Sequence, residues 1–96
     1  MRYNLITSSW RGSRVPKGIM AFLFVGTEPK NRQIPVENEI VKIKGVVHVY
    51  EVLGEYDMCI HVQAKSREDL ARILYTVSTI EGVRTVTTII ISKKIK

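Results

Sequence analysis

The sequence predicts an α+β domain with the element order β-α-β-β-α-β, on three observations. The first is Val47–Ala64, VHVYEVLGEYDMCIHVQA, where two β-branched runs flank Gly54, Glu55, Tyr56 and Asp57. Alternating runs on both sides of a Gly-containing break signal an antiparallel hairpin. The second is a pair of apolar stripes at helical spacing, one on each side of that hairpin: Val36, Ile40 and Ile43, then Leu70, Ile73, Leu74 and Val77. The third is an internal echo, in which IKGVVHV (residues 43–49) matches IEGVRTV (residues 80–86) in its Ile, Gly and Val positions. Each copy reads as a helix end, a glycine stop and a strand start. Two such βα halves joined through a central hairpin give the ferredoxin-like arrangement, an antiparallel sheet with both helices on one face.

In chain order, residues 1–18 (MRYNLITSSWRGSRVPKG) lack periodicity and are rich in Ser, Arg, Gly and Pro. They are expected to form a mobile basic arm, or to lie upstream of a natural start at Met20. The domain proper is then 19–96. Ile19–Gly26 is apolar on both faces, so this strand needs cover above and below. Thr27–Gln33 reads as a polar connection, Pro35 as a first-turn residue of the first helix, and Gly45 as its C-terminal glycine. In the hairpin, Val47, Val49, Glu51 and Leu53 are expected on one face and His48, Tyr50 and Val52 on the other. Ser66 with Asp69 three residues later caps the second helix, which Gly82 ends. Val83–Ser92, rich in Thr and Ile, is the last strand. With both helices on one face, Phe22, Phe24 and Ile90 are expected on the open one. Exposed apolar area of that kind marks an interface, which predicts dimerisation through the sheets.

Ninety-six residues with 45% hydrophobic content make one soluble domain with a small core, for which oligomerisation is a common support. No apolar run reaches membrane-spanning length and no secretory leader is visible, so a cytoplasmic protein and no membrane association are expected. Cys59 is the single cysteine, which excludes an intrachain disulfide or a Cys-rich metal site. The net charge of +6 is concentrated in the arm, where Arg2, Arg11, Arg14 and Lys17 meet no acid. The remainder is nearly balanced, so direct DNA binding is not expected.

Little in the chain resembles catalytic machinery. His48 and His61 lie in separate strands, outside any cluster with metal-ligand spacing, and are read as structural or surface residues. No nucleophile elbow, Walker loop or dinucleotide fingerprint occurs, and no metal, cofactor or enzymatic activity is expected. An acylphosphatase-type loop is missing. The open face of the central strand, Cys59, His61 and Gln63, lacks the aromatic and basic residues of an RNA-recognition module. The turn Gly54–Asp57 has two readings. It is an ordinary hairpin turn, with Gly54 supplying a positive φ and Asp57 bonding nearby backbone. Alternatively, its backbone N–H groups cradle a carboxylate while a side-chain carboxylate holds an ammonium.

VYEVLGEYDMCIHVQAKS, the later IEGV and the Thr/Ile-rich final strand ending in Lys together resemble the effector-binding domain of the Lrp/AsnC family of transcription regulators. That domain is found chiefly in archaea and bacteria, and residues 19–96 would cover it almost completely. The resemblance implies an amino-acid sensor in stand-alone form, without the family's helix-turn-helix. It implies dimers formed through the sheets, assembling into octamers or decamers that bind effector between dimers. It also places the ligand-contacting turn at Gly54, Glu55, Tyr56 and Asp57. Family members often carry a Thr-x-Thr pair on the last strand. Alignment from Gly82 puts it at Val86 and Thr88, while Thr85 and Thr87 keep the spacing on the opposite face. All three threonines are candidates for ligand contact, or are simply strand-favouring residues. Regulation would then act through partner proteins such as full-length Lrp/AsnC regulators. The alternatives are an ACT-like regulatory module or a small dimeric enzyme of the ferredoxin-like type.

Overall fold

The computed structural model describes residues 18–96; the expectations for the arm fall, Gly18 apart, outside the described residues. Strands β1 (Ile19–Thr27), β2 (Val46–Glu51), β3 (Met58–Ala64) and β4 (Val83–Ile90) form one antiparallel sheet in the order β2-β3-β1-β4. Helices α1 (Gln33–Ile40) and α2 (Arg67–Ser78) fill the two crossovers. This is the predicted β-α-β-β-α-β order with the ferredoxin-like strand arrangement. None of the described helices is long and apolar enough to cross a membrane.

The core lies between the sheet and the helices. Ala21, Leu23 and Val25 from β1 and Met58, Ile60 and Val62 from β3 meet Val36 and Ile40 of α1 and Leu70, Ile73 and Val77 of α2. Both central strands bury every second residue, as the two-residue period of a pleated strand requires. Complete burial of side chains such as Leu23, Ile60 and Ile73 contributes about 1.5–3 kcal/mol each before entropy is counted.

The internal echo is a repeated device. Gly45 and Gly82 take φ of 103° and 102°. In each copy the amide after the glycine donates to the carbonyl three residues back, Val46 to Ile43 and Val83 to Ile80, both at 3.1 Å. Only glycine enters this left-handed region without strain, which is why the motif recurs where a helical segment must turn into a strand. The second helix starts as expected, the Ser66 hydroxyl accepting from the Asp69 amide at 3.1 Å. Asp69 returns the bond by accepting from the Lys65 amide at 2.8 Å.

Five details differ from the sequence reading. Lys30–Arg32 forms a 3-10 turn inside the segment expected to be irregular, and α1 ends at Ile40, so Ile43 packs from the following turn. β4 ends at Ile90 instead of Ser92. Val47 is the extra residue of a bulge between Val46 and His48, so Val46 and Val49 point to the core and Val47 is 48% exposed. Finally, Ile89, and not Ile90, lies on the open face. Ile89 pairs with Phe22, whereas Ile90 pairs with core-facing Ala21, and directly paired residues share a face.

One carboxylate holds the β2–β3 turn to the body. Asp57 Oδ2 accepts from the Thr27 amide at 2.7 Å and the Thr27 hydroxyl at 3.0 Å, and Oδ1 accepts from Lys30 Nζ at 2.8 Å. Its backbone joins the same corner, the Asp57 amide donating to Val25 O at 2.9 Å. Thr27 is a buried polar residue, so Asp57 satisfies donors that have no access to water. The Lys30 ammonium, followed by the Thr27 amide, lowers the Asp57 pKa below its ordinary 3.8.

Asp57→Ala should therefore cost about 2–3 kcal/mol, because the Thr27 donors lose a charged acceptor. Thermal unfolding should read this as a fall of roughly 10 °C. Since the folded carboxyl has the lower pKa, its stabilisation is present above pH 3.8 and is lost as pH falls through the depressed value. Asp57→Asn should flatten that acid limb in urea titrations at stepped pH. At Gly82 an added Cβ would stand 2.6 Å from Arg32 Cβ, on a backbone with φ of 102°. Gly82→Ala should lower stability by about 1–3 kcal/mol in the same titration.

Candidate functional site

The sheet face turned away from the helices carries an aromatic band running across the strands. Phe22 stacks on His61 with centroids 5.1 Å apart, His61 on His48 at 5.5 Å, and His48 on Tyr50 at 5.9 Å. Phe24 meets Tyr56 at 5.7 Å. Tyr50 and Ile89 are each 51% exposed, so the face presents apolar surface of the kind an interface covers. Cys59 is part of this face, and burial pushes its thiol pKa up, which disfavours the thiolate.

At one end of the face the turn and the last strand come together. Tyr56 reaches from the turn to β4, its hydroxyl 2.9 Å from the Thr87 hydroxyl, across 31 positions of sequence. Thr85 lies on the same face opposite Gly26, where a Cβ would come within 2.8 Å of the Thr85 hydroxyl. The glycine in β1 thus makes room for the threonine on β4. Thr88 pairs with Leu23 and belongs to the helix-facing side, away from the other two threonines. Gly54, with φ of 142°, and Glu55 are exposed at the tip. Among the described residues, no acceptor meets the backbone amides of Gly54, Glu55 and Tyr56. Such a run of free N–H groups suits an anion.

The four turn residues therefore have different positions. Gly54 and Glu55 face solvent, Tyr56 spans to Thr87, and Asp57 turns inward with both oxygens engaged by Thr27 and Lys30. Of the two carboxylates, Glu55 alone is exposed and outside any ion pair among the described residues.

One grouping escaped the sequence. His48 and His61 are directly paired across β2 and β3, with Nδ1 atoms 3.3 Å apart. The β2–β3 register runs unbroken from Glu51 with Met58 to His48 with His61, and residue spacing alone does not give a register. Burial, then repulsion from His48, lowers the His61 pKa, favouring the neutral ring. His61 Nε2 is buried without a hydrogen-bond partner.

Comparison with known proteins places this geometry in a family. The family model described as the Lrp/AsnC ligand binding domain matches residues 20–96. Homocitrate synthase of Sulfolobus acidocaldarius is 35% identical over 81 residues, which are 84% of this chain and 17% of the synthase. The HTH-type transcriptional regulator FL11 of Pyrococcus furiosus is 35% identical over 75 residues, 78% of this chain and 49% of the regulator. The chain thus spans less than half the length of either curated relative. The transcriptional regulator NMB0573 of Neisseria meningitidis, solved as a complex with L-Met, shares the fold. It superposes with a TM-score of 0.75 at 19% identity, covering 96% of this chain and 61% of that one. With its family model matched from the first strand to the last residue, the chain belongs to the Lrp/AsnC ligand-binding domain family.

Proposed function

We propose that this chain is an amino-acid-sensing regulatory domain that works as an oligomer. The observation that carries the reading is the Tyr56–Thr87 contact, which joins the Gly54–Asp57 turn to the last strand at the end of an exposed apolar sheet face. The chemistry there suits a zwitterion. The free amides of Gly54, Glu55 and Tyr56 receive the effector carboxylate, and Glu55 receives its ammonium. Thr85 and Thr87 line the side-chain end, with Thr88 supporting β4 from the opposite face. Asp57 positions the turn and makes no ligand contact of its own. The L-Met complex of the Neisseria meningitidis regulator supports an amino acid as the ligand class.

In this reading two copies meet through the open faces and cover Phe22, Phe24, Tyr50 and Ile89. Dimers then build octamers or decamers in the cytoplasm, with effector held between dimers. Ligand preferring one assembly stabilises it by mass action, which converts amino-acid concentration into assembly state. Partners in transcription are full-length regulators of the same family, as the similarity to FL11 suggests. A second reading follows from the homocitrate synthase likeness: the same module senses an amino acid on behalf of a biosynthetic enzyme.

Thermal unfolding with each of the twenty amino acids, alongside light scattering, tests the proposal. One or a few should raise the midpoint by several degrees. Ligand at a hundred times its Kd stabilises by about 2.7 kcal/mol, and for a domain of this size each kcal/mol moves the midpoint roughly 4–8 °C. Glu55→Gln and Thr85→Val should remove most of that rise while leaving the ligand-free midpoint within about 2 °C, since neither side chain is buried. A midpoint unmoved by all twenty would overturn the reading.

A further inference from the structure

The His48–His61 pair is not used by the amino-acid reading, and only its completion by a second copy rests on the dimer in that reading. These residues are directly opposed in the β2–β3 ladder, which fixes their Cα positions and puts both imidazoles on the same sheet face. Their Nδ1 atoms are 3.3 Å apart. A hydrogen bond between the rings can span that distance. The same distance matches another geometry closely. Two imidazole nitrogens at about 2.0–2.1 Å from a tetrahedral metal ion stand roughly 3.3–3.4 Å from one another. A square or octahedral ion with cis nitrogens at the same bond length would draw them to about 3.0 Å.

The surroundings also suit a metal ion. The pair can share only one proton between its Nδ1 atoms, and His61 Nε2 has no partner whether Nδ1 meets a proton or a cation. Phe22 stacks against one side of His61 and His48 against the other, holding the ring that would serve as the fixed ligand. His48 is exposed on the edge strand, so the pair is open to an ion arriving from solvent. Among the described residues no third His, Cys, Asp or Glu joins them in a metal-holding group. The chain therefore supplies two nitrogens of the shell.

We propose that His48 and His61 form a two-nitrogen chelate for a tetrahedral, imidazole-preferring divalent cation, zinc being the best match. Water completes the shell in an isolated chain. Where open faces meet, the same pair from a second copy completes it.

The test is titration of the full, untagged chain with zinc chloride, followed by calorimetry and by long-range 1H–15N correlation of the imidazole nitrogens. Saturable binding is expected at one ion per chain, or one per two chains if the facing pair participates. The Nδ1 resonances of both histidines should shift on loading. His48→Gln should weaken binding at least tenfold without lowering the ligand-free unfolding midpoint, because His48 is exposed. His61→Gln should also weaken binding at least tenfold, its midpoint being read separately because His61 is half-buried, and Cys59→Ser should leave binding within twofold. No saturable binding by the parent chain, unchanged binding in His48→Gln, or a tenfold loss in Cys59→Ser would each overturn the assignment. Zinc binding that persists in a variant unable to sense amino acids, such as Glu55→Gln, separates this site from the turn.

Discussion

The Asp57 carboxylate is the constraint on which the functional end of the molecule depends. It accepts from the Thr27 amide and hydroxyl, at 2.7 and 3.0 Å, and from Lys30 at 2.8 Å. Three segments meet there: the end of β1, the approach to α1, and the turn between β2 and β3. The Thr27 donors are out of reach of water, so this acceptor cannot be exchanged for solvent without leaving polar groups unpaired. The Lys30 arm is different in kind, since its ammonium is 78% exposed and the ion pair adds little by itself. What the cluster secures is position. With Asp57 fixed, Tyr56 is placed over Phe24 and within reach of Thr87.

A second constraint comes from β1, which is apolar on both sides and sits in the sheet interior between β3 and β4. One side is covered by the helices. The other shows Phe22 and Phe24 beside His61, Tyr56 and Ile89, and a ninety-six-residue chain has no further helix among the described residues to place there. The sheet is therefore half of a two-sided packing problem. In the proposed function that uncovered face is where copies meet, and an assembly formed there is one that a ligand can bias.

The division of labour within the turn follows from the same geometry. Polar groups that hold a loop in place are best buried and saturated, and those that meet a ligand are best left exposed and unpaired. Asp57 is half-buried and saturated, and Glu55, to which the proposed function gives the ligand contact, is exposed, although they stand two residues apart in the same motif. The resemblance to the family marks all four turn residues alike, and the packing distinguishes them.

Much of this protein is local in origin, and the sequence alone determined it. Helical stripes, the Ser66–Asp69 cap, the glycine stops at Gly45 and Gly82 and the alternating central hairpin are short-range patterns, each forced by backbone geometry within a few residues. Together they specify the order of elements, the core residues of β1 and β3, and one sheet face left without helices. Register was decided only by the tertiary structure. The β2–β3 register puts His48 opposite His61, and the bulge at Val47 brings Val46 to the core side. The β1–β4 pairing sends Ile89 outward and Ile90 inward, and turns Thr85 and Thr87, already separated from Thr88 by strand alternation, to the open face. Cross-strand partners 13 to 31 positions apart, such as His48 with His61 or Tyr56 with Thr87, leave no periodic trace. A one-residue change in pairing moves every side chain to the other face of the sheet, so the candidate site could be located in the sequence but not assembled from it.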